Sequence, residues 1–162
     1  MNAIKNGLVA VVKQDCETCV MLEPVLAQLA ADGTMVYSQD NPDFPASVPD
    51  VIDDRELETS FNLDIETVPT LIRMENGKEA GRVVGWVRDE WRNFTAIDDL
   101  GEALPEFRPG CGSKSVEPGI AEELAVRFGD TAIVSRRIEV APLEDEIEAC
   151  FDREWSDGLP VV

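Results

Sequence analysis

Two cysteines near the start of the chain, Cys16 and Cys19, have the spacing at which two thiols can take part in disulfide exchange. They follow the apolar run 8–12 and precede apolar residues at helical spacing, which predicts a strand-to-helix junction. A helix N-terminus favours a thiolate, because its free backbone N–H groups and the helix dipole stabilise negative charge. Cys19 follows one turn later on the same face, within reach to resolve a mixed disulfide on Cys16.

The hydrophobic pattern predicts the elements that position this pair. Residues 8–13 are β-branched and apolar, as in a central strand covered on both faces. Apolar residues at helical spacing then predict a helix that Thr18 or Asp15 caps and that Asp32-Gly33 ends. A second strand is predicted at 35–38.

The next part of the chain predicts a second helix and a hairpin. A short helix should begin at Asp53 or Asp54, and the chain should return to a strand at 67–69. Asn-Gly at 76–77 is a typical hairpin turn, and Asp89 is a plausible cap for a further helix. The predicted order is β-α-β-α-β-β-α.

The cysteine motif, Pro24 five residues after Cys19, and the run 68–78 followed by Gly85 together resemble the thioredoxin-like family. The resemblance covers about residues 6–104. It implies an α/β protein with a minimal thioredoxin-like fold, in which helices flank a central mixed sheet.

The resemblance also implies roles for four residues. Cys16 would be the exposed nucleophile and Cys19 the resolving thiol. Pro69 would follow a cis peptide bond beside the two sulfurs, and the backbone at Val68 would bind an extended substrate segment by strand addition.

Three residues around Cys16 depart from the usual thioredoxin pattern. Asp15 replaces a common tryptophan, and Glu17-Thr18 replace Gly-Pro. Carboxylates on both sides of a thiol oppose thiolate formation. We therefore expect Asp15, Glu17 and Thr18 to tune the pair, and the two carboxylates to make it more reducing than a helix N-terminus alone would.

Beyond the thioredoxin-like domain, 1–104, the sequence predicts a linker at 105–115 and an α/β extension at 116–162 that packs on the core. Cys111 lies between glycines and is expected to be accessible, with an auxiliary redox role left open. Cys150 is interpreted as a small buried hydrophobic residue. The extension's apolar residues expected to be buried are Ile120, Leu124, Phe128, Ile138, Ile147 and Phe151.

Composition limits the classes of partner. The 162 residues carry a net charge of −19, which disfavours binding to nucleic acid and to anionic membranes. The chain has no histidine and no second close cysteine pair, so we expect no metal and no cofactor. No signal-like or membrane-spanning apolar run is present, from which we expect a cytoplasmic protein.

The sequence predicts a thiol–disulfide oxidoreductase in which Cys16 attacks and Cys19 resolves. Its partners would be a protein disulfide substrate and a reductase or other electron donor. Two alternatives are a redox-partner or docking module that serves one dedicated enzyme or attached domain, and a thioredoxin-like scaffold without catalysis.

Overall fold

In the computed structural model, which describes residues 4–129, an apolar strand lies at the centre of the main sheet. β1 (Gly7–Val12) pairs in parallel with β2 (Met35–Ser38) and antiparallel with β5 (Thr70–Glu75). β3 (Ile52–Asp53) extends the sheet beyond β2, and β6 (Lys78–Val84) extends it beyond β5. The predicted mixed sheet with a central apolar strand is confirmed.

The helix after the cysteine motif is divided in two. α1 (Glu17–Met21) ends at Leu22, and α2 (Glu23–Ala31) begins immediately after it. Pro24 lies in the first turn of α2, where its missing N–H costs no helical hydrogen bond. The proline thus lies at the start of a second helix, at the position where the resemblance implies a kink within one helix.

Two predicted helix starts are wrong by a few residues. α3 (Glu58–Asn62) begins later than expected, and Asp54 accepts hydrogen bonds from the backbone N–H groups of its first turns. α4 (Arg88–Thr95) has Val87 at its N-cap, so Asp89 lies inside the first turn rather than capping it.

The segment 105–115, predicted to be a linker, instead contains two short strands. β8 (Phe107–Arg108) pairs antiparallel with β7 (Trp86–Val87), and β9 (Cys111–Gly112) pairs antiparallel with β4 (Thr67–Val68). A 3-10 turn follows at Lys114–Val116. Four backbone positions of this segment are therefore committed to strand pairing, which a flexible linker would not be.

Two tryptophans anchor the part of the core next to β8. The rings of Trp86 and Trp91 pack edge to face, with their centroids 5.3 Å apart, and both side chains are fully buried. Each indole N–H is satisfied, by the carbonyls of Pro105 and Gly85 respectively. This packing fixes the start of the 105–115 segment against the sheet domain.

The described chain divides into two units after Ala121, within α5 (Ile120–Phe128). Leu124 is buried, as predicted for the extension, whereas Ile120 and Phe128 are only partly buried. The predictions for Ile138, Ile147, Cys150 and Phe151 lie outside the described residues. None of the helices within 4–129 has the length and apolar character needed to cross a lipid bilayer.

Candidate active site

Cys16 itself caps the helix that carries the second cysteine. Its backbone is extended, with φ −159° and ψ 111°, and its Sγ accepts a hydrogen bond of 3.4 Å from the Cys19 N–H. The expectation that Asp15 or Thr18 caps this helix is therefore wrong. A sulfur in the N-cap position receives a backbone donor that stabilises its thiolate form.

The loop before Cys16 is held by a carboxylate from the end of the neighbouring strand. Asp40 accepts hydrogen bonds from the backbone N–H groups of Gln14, at 2.7 Å, and Asp15, at 2.9 Å. Asp40 follows β2, and the carboxyl ends of β1 and β2 meet because these strands are parallel. The sequence signal that could have identified Asp40 is its position just after the strand that lies parallel to β1.

The cysteine pair is less accessible than the sequence predicts. Cys16 is 4% exposed and Cys19 0%, so the expectation of an exposed nucleophile is wrong. The Cys16 Sγ lies 3.7 Å from the Val68 carbonyl oxygen, and the Val68–Pro69 peptide bond is cis. The structure therefore brings Val68 and Pro69 to the cysteine motif from 52 residues away.

The two thiols of the motif differ strongly in acidity. A hydrogen bond from the Cys19 thiol lowers the pKa of Cys16 from 9.0 to about 5, helped by the Cys111 thiol and by backbone N–H groups and opposed by burial. Burial and the proximity of the Cys16 sulfur raise the pKa of Cys19. Cys16 is thus the thiolate of the pair near neutral pH.

The residues expected to tune Cys16 act in unexpected ways. Thr18 is buried, and its backbone N–H contributes to the lowered pKa of Cys16. The exposed Glu17 carboxylate pairs with Arg108 at 2.5 Å, while Asp15 is exposed to solvent. The largest effects on the pKa of Cys16 come from neighbouring thiols and burial, not from the two flanking carboxylates.

A third cysteine lies beside the motif. β9 pairs with β4 so that Cys111 is the register partner of Val68, and the Cys111 thiol contributes to the lowered pKa of Cys16. Cys111 is partly buried, which raises its pKa. The antiparallel edge expected to bind substrate at Val68 is therefore occupied by the chain's own strand.

An open cleft of about 600 Å³ gives access to this site. It is lined by residues 14–18 and 20 from the cysteine motif and by 108–111 from the strand segment. Cys16 and Cys111 both face it, whereas Cys19 is not among its lining residues. Small molecules and exposed disulfides can thus approach Cys16 and Cys111 from the same side.

Neighbouring polar groups hold β9 in place. The fully buried Gln39 side chain donates to the hydroxyls of Ser60 and Ser113 and accepts from the Lys114 N–H. The Ser113 N–H in turn donates to the Glu66 carbonyl. Sequence periodicity could not reveal this network, because its members come from separate turns and short helices.

The chemistry available to the site is that of thiols. Cys16, Cys19 and Cys111 are all free cysteines. Within the described part of the chain, no group of three or more His, Cys, Asp or Glu side chains could hold a metal ion. Comparison with protein-family models gave no match, and a search of curated proteins found none that matches this chain.

Proposed function

We propose that this protein is a thiol–disulfide oxidoreductase with Cys16 as the nucleophile and Cys19 as the resolving thiol. The observation that carries the proposal is the contrast between the two sulfurs. Cys16 receives the Cys19 N–H and has a pKa of about 5, while burial raises the pKa of Cys19. A dithiol with one stabilised thiolate and one protected thiol is suited to stepwise exchange.

In the first step, the Cys16 thiolate attacks one sulfur of a substrate disulfide and the other substrate sulfur leaves as a thiolate. Cys16 then carries no charge, which removes one of the influences that raise the pKa of Cys19. In the second step, Cys19 loses its proton and attacks Cys16 Sγ, releasing the reduced substrate. Two electrons pass to the substrate, and an electron donor must later reduce the Cys16–Cys19 disulfide.

A thioredoxin-like fold is part of the proposal. The strand order β3-β2-β1-β5-β6 supports it, as does the position of the cysteine motif directly after the central strand. The approach of the Val68 carbonyl to Cys16 also supports it, because the resemblance implies this neighbour for the nucleophile.

One observation favours the narrower function of a redox-partner module. A general disulfide reductase needs a free edge at Val68 for extended segments, but β9 is paired there. A dedicated partner could instead present its disulfide directly to the cleft between the cysteine motif and residues 108–111.

Reduction of insulin by dithiothreitol tests the proposal and separates its two forms. Wild type should accelerate the reaction, Cys16→Ser should abolish the acceleration, and Cys150→Ser should retain it. Acceleration that survives in Cys16→Ser would refute the assignment of the nucleophile. If wild type does not accelerate insulin reduction but oxidised glutathione rapidly oxidises Cys16, the redox-partner module is favoured. If Cys16 is inert in both assays, the protein is a scaffold without catalysis.

A further inference from the structure

The position of β9 places a third thiol within the candidate redox site. Val68 is the common neighbour, because its carbonyl lies 3.7 Å from Cys16 Sγ and its register partner across the strand pair is Cys111. The two thiols also influence each other's pKa, and both residues line the same cleft. Two cysteines that are 95 positions apart in the sequence thus lie at the same site, each next to Val68.

Contacts on both sides of Cys111 hold it there. On the N-terminal side, the Thr18 hydroxyl donates to the Pro109 carbonyl at 2.6 Å, and Arg108 pairs with Glu17. On the C-terminal side, the Ser113 hydroxyl accepts from the Gln39 amide at 2.7 Å. Two of these contacts come from the cysteine motif itself, so the motif and the Cys111 segment are positioned as one unit.

The packing at Gly110 shows how closely this segment approaches Val68. A Cβ atom added at Gly110 would lie 2.6 Å from the Val68 carbonyl oxygen and 2.6 Å from the Thr67 methyl group. Glycine is required at this position because any side chain would push β9 away from β4. The close approach holds the next residue, Cys111, opposite Val68, whose carbonyl oxygen lies 3.7 Å from the Cys16 sulfur.

We propose that Cys111 is a second resolving thiol, which attacks Cys16 in a mixed disulfide and forms a Cys16–Cys111 disulfide. This inference rests on the function proposed for Cys16. The Cys111 thiolate would attack Cys16 Sγ; the S–S bond between Cys16 and the substrate breaks, and the substrate sulfur leaves as a thiolate. The proton of Cys111 passes to solvent, and Cys16 and Cys111 together supply the two electrons that reduce the substrate.

Accessibility distinguishes Cys111 from Cys19 as the resolving group. Cys19 is fully buried, whereas Cys111 is partly exposed and lines the same cleft as Cys16. The proximity of Cys16 contributes to the raised pKa of Cys111, and the charged part of that effect is lost once Cys16 enters a mixed disulfide. Formation of the mixed disulfide thus makes Cys111 a better nucleophile at the moment it is needed.

A glutathione-trapping experiment tests the inference. Three full-length variants are made in a Cys150→Ser background: Cys19→Ser, Cys111→Ser, and Cys19→Ser combined with Cys111→Ser. Each reduced protein is mixed with oxidised glutathione, quenched with acid at intervals, and mapped by peptide mass spectrometry. Far-UV circular dichroism checks that each variant is folded.

In Cys19→Ser, glutathione should leave Cys16 as a Cys16–Cys111 disulfide forms. The lifetime of the glutathione adduct on Cys16 should therefore be at least about tenfold shorter than in the double variant. In the double variant, glutathione should remain on Cys16. An adduct on Cys16 that is equally long-lived in both proteins would overturn the inference and leave the proposed nucleophile intact. Absence of any glutathione on Cys16 in both would overturn the proposed function as well.

If substitution of Cys111 prevents folding, the Cys19→Ser protein alone is sufficient for the test. A Cys16–Cys111 disulfide among its peptides supports the inference. Glutathione retained on Cys16 beside a free Cys111 contradicts it.

Discussion

The Thr18 hydroxyl donates a hydrogen bond of 2.6 Å to the carbonyl oxygen of Pro109, 91 residues later in the chain. Thr18 lies between the two cysteines of the motif, and Pro109 lies two residues before Cys111. This bond therefore joins the helix that carries Cys19 to the segment that carries the third thiol. Removal of this bond should loosen the segment that carries Cys111 without disturbing the helix that carries Cys19.

Thr18→Val tests this connection, because valine keeps the branched shape of threonine and has a methyl group in place of the hydroxyl. This hydrogen bond is partly buried, so its loss should cost about 1 kcal/mol in the free energy of unfolding. Urea denaturation measures this change. Glu17→Gln is the matched control, because the exposed ion pair of Glu17 with Arg108 should contribute less to the free energy of unfolding than the Thr18 hydrogen bond. A larger loss of stability in Glu17→Gln than in Thr18→Val would contradict this expectation.

Gly110 and Gly112 provide a matched pair for testing the close approach of β9 to β4. Gly110→Ala should destabilise the fold by about 1–3 kcal/mol or displace β9, because the new methyl group would overlap the Val68 carbonyl. Gly112→Ala adds a methyl group that meets nothing within 4 Å. Thermal unfolding, with the rate of alkylation of Cys16 by iodoacetamide, measures both effects.

Displacement of β9 should speed alkylation of Cys16 in Gly110→Ala and leave it unchanged in Gly112→Ala. Equal stability and equal alkylation in the two variants would show that β9 does not depend on the space at Gly110.

The sequence predicted those elements that have a long hydrophobic pattern or a characteristic local turn motif. The central strand followed from the uniform apolar run 8–12, and the hairpin from the Asn-Gly turn at 76–77. The two-residue strands β8 and β9 could not be predicted, because two residues carry no periodicity and their prolines and glycines indicate a linker. Their partners, β7 and β4, are chosen by tertiary packing.

The site was predicted unevenly for similar reasons. The spacing of Cys16 and Cys19 is visible in the sequence, but the capping role of Cys16 depends on the backbone at one junction. The proximity of Cys111 depends on a strand register with Val68, which no local pattern contains. The flanking carboxylates were predicted to affect Cys16 because they are its neighbours in the sequence. In the structure, the Glu17 carboxylate instead pairs with Arg108.

The buried amide of Gln39 should be important for holding the turn after β9. It bonds to Ser60, Ser113 and the Lys114 N–H, so Gln39→Leu would remove three hydrogen bonds and take the acceptor from the Lys114 N–H. We expect a loss of about 1–3 kcal/mol in the free energy of unfolding, measured by urea denaturation. Gln28→Leu, at an exposed position in α2, is the control and should change stability little.

The alkylation of Cys16 should depend on pH in a way that ordinary thiols do not. The thiolate is the reactive form, and the pKa of Cys16 is lowered from 9.0 to about 5. The rate should therefore be nearly constant from pH 8 down to about pH 6, and should fall as the pH drops through about 5. Cys19 has a raised pKa, so it should react slowly throughout this range.

Iodoacetamide labelling at a series of pH values, with peptide mass spectrometry to assign each site, measures these profiles in the reduced full chain. The same chain in denaturant is the control, because its cysteines lose their neighbours and the midpoint for Cys16 should rise to about 8.5. The sign of the shift is the decisive result: stabilisation of the thiolate by Cys19 and Cys111 moves the folded midpoint to lower pH. A folded midpoint at or above the denatured one would show that burial outweighs those hydrogen bonds, and Cys16 would then lack the acidity that the proposed exchange reaction requires.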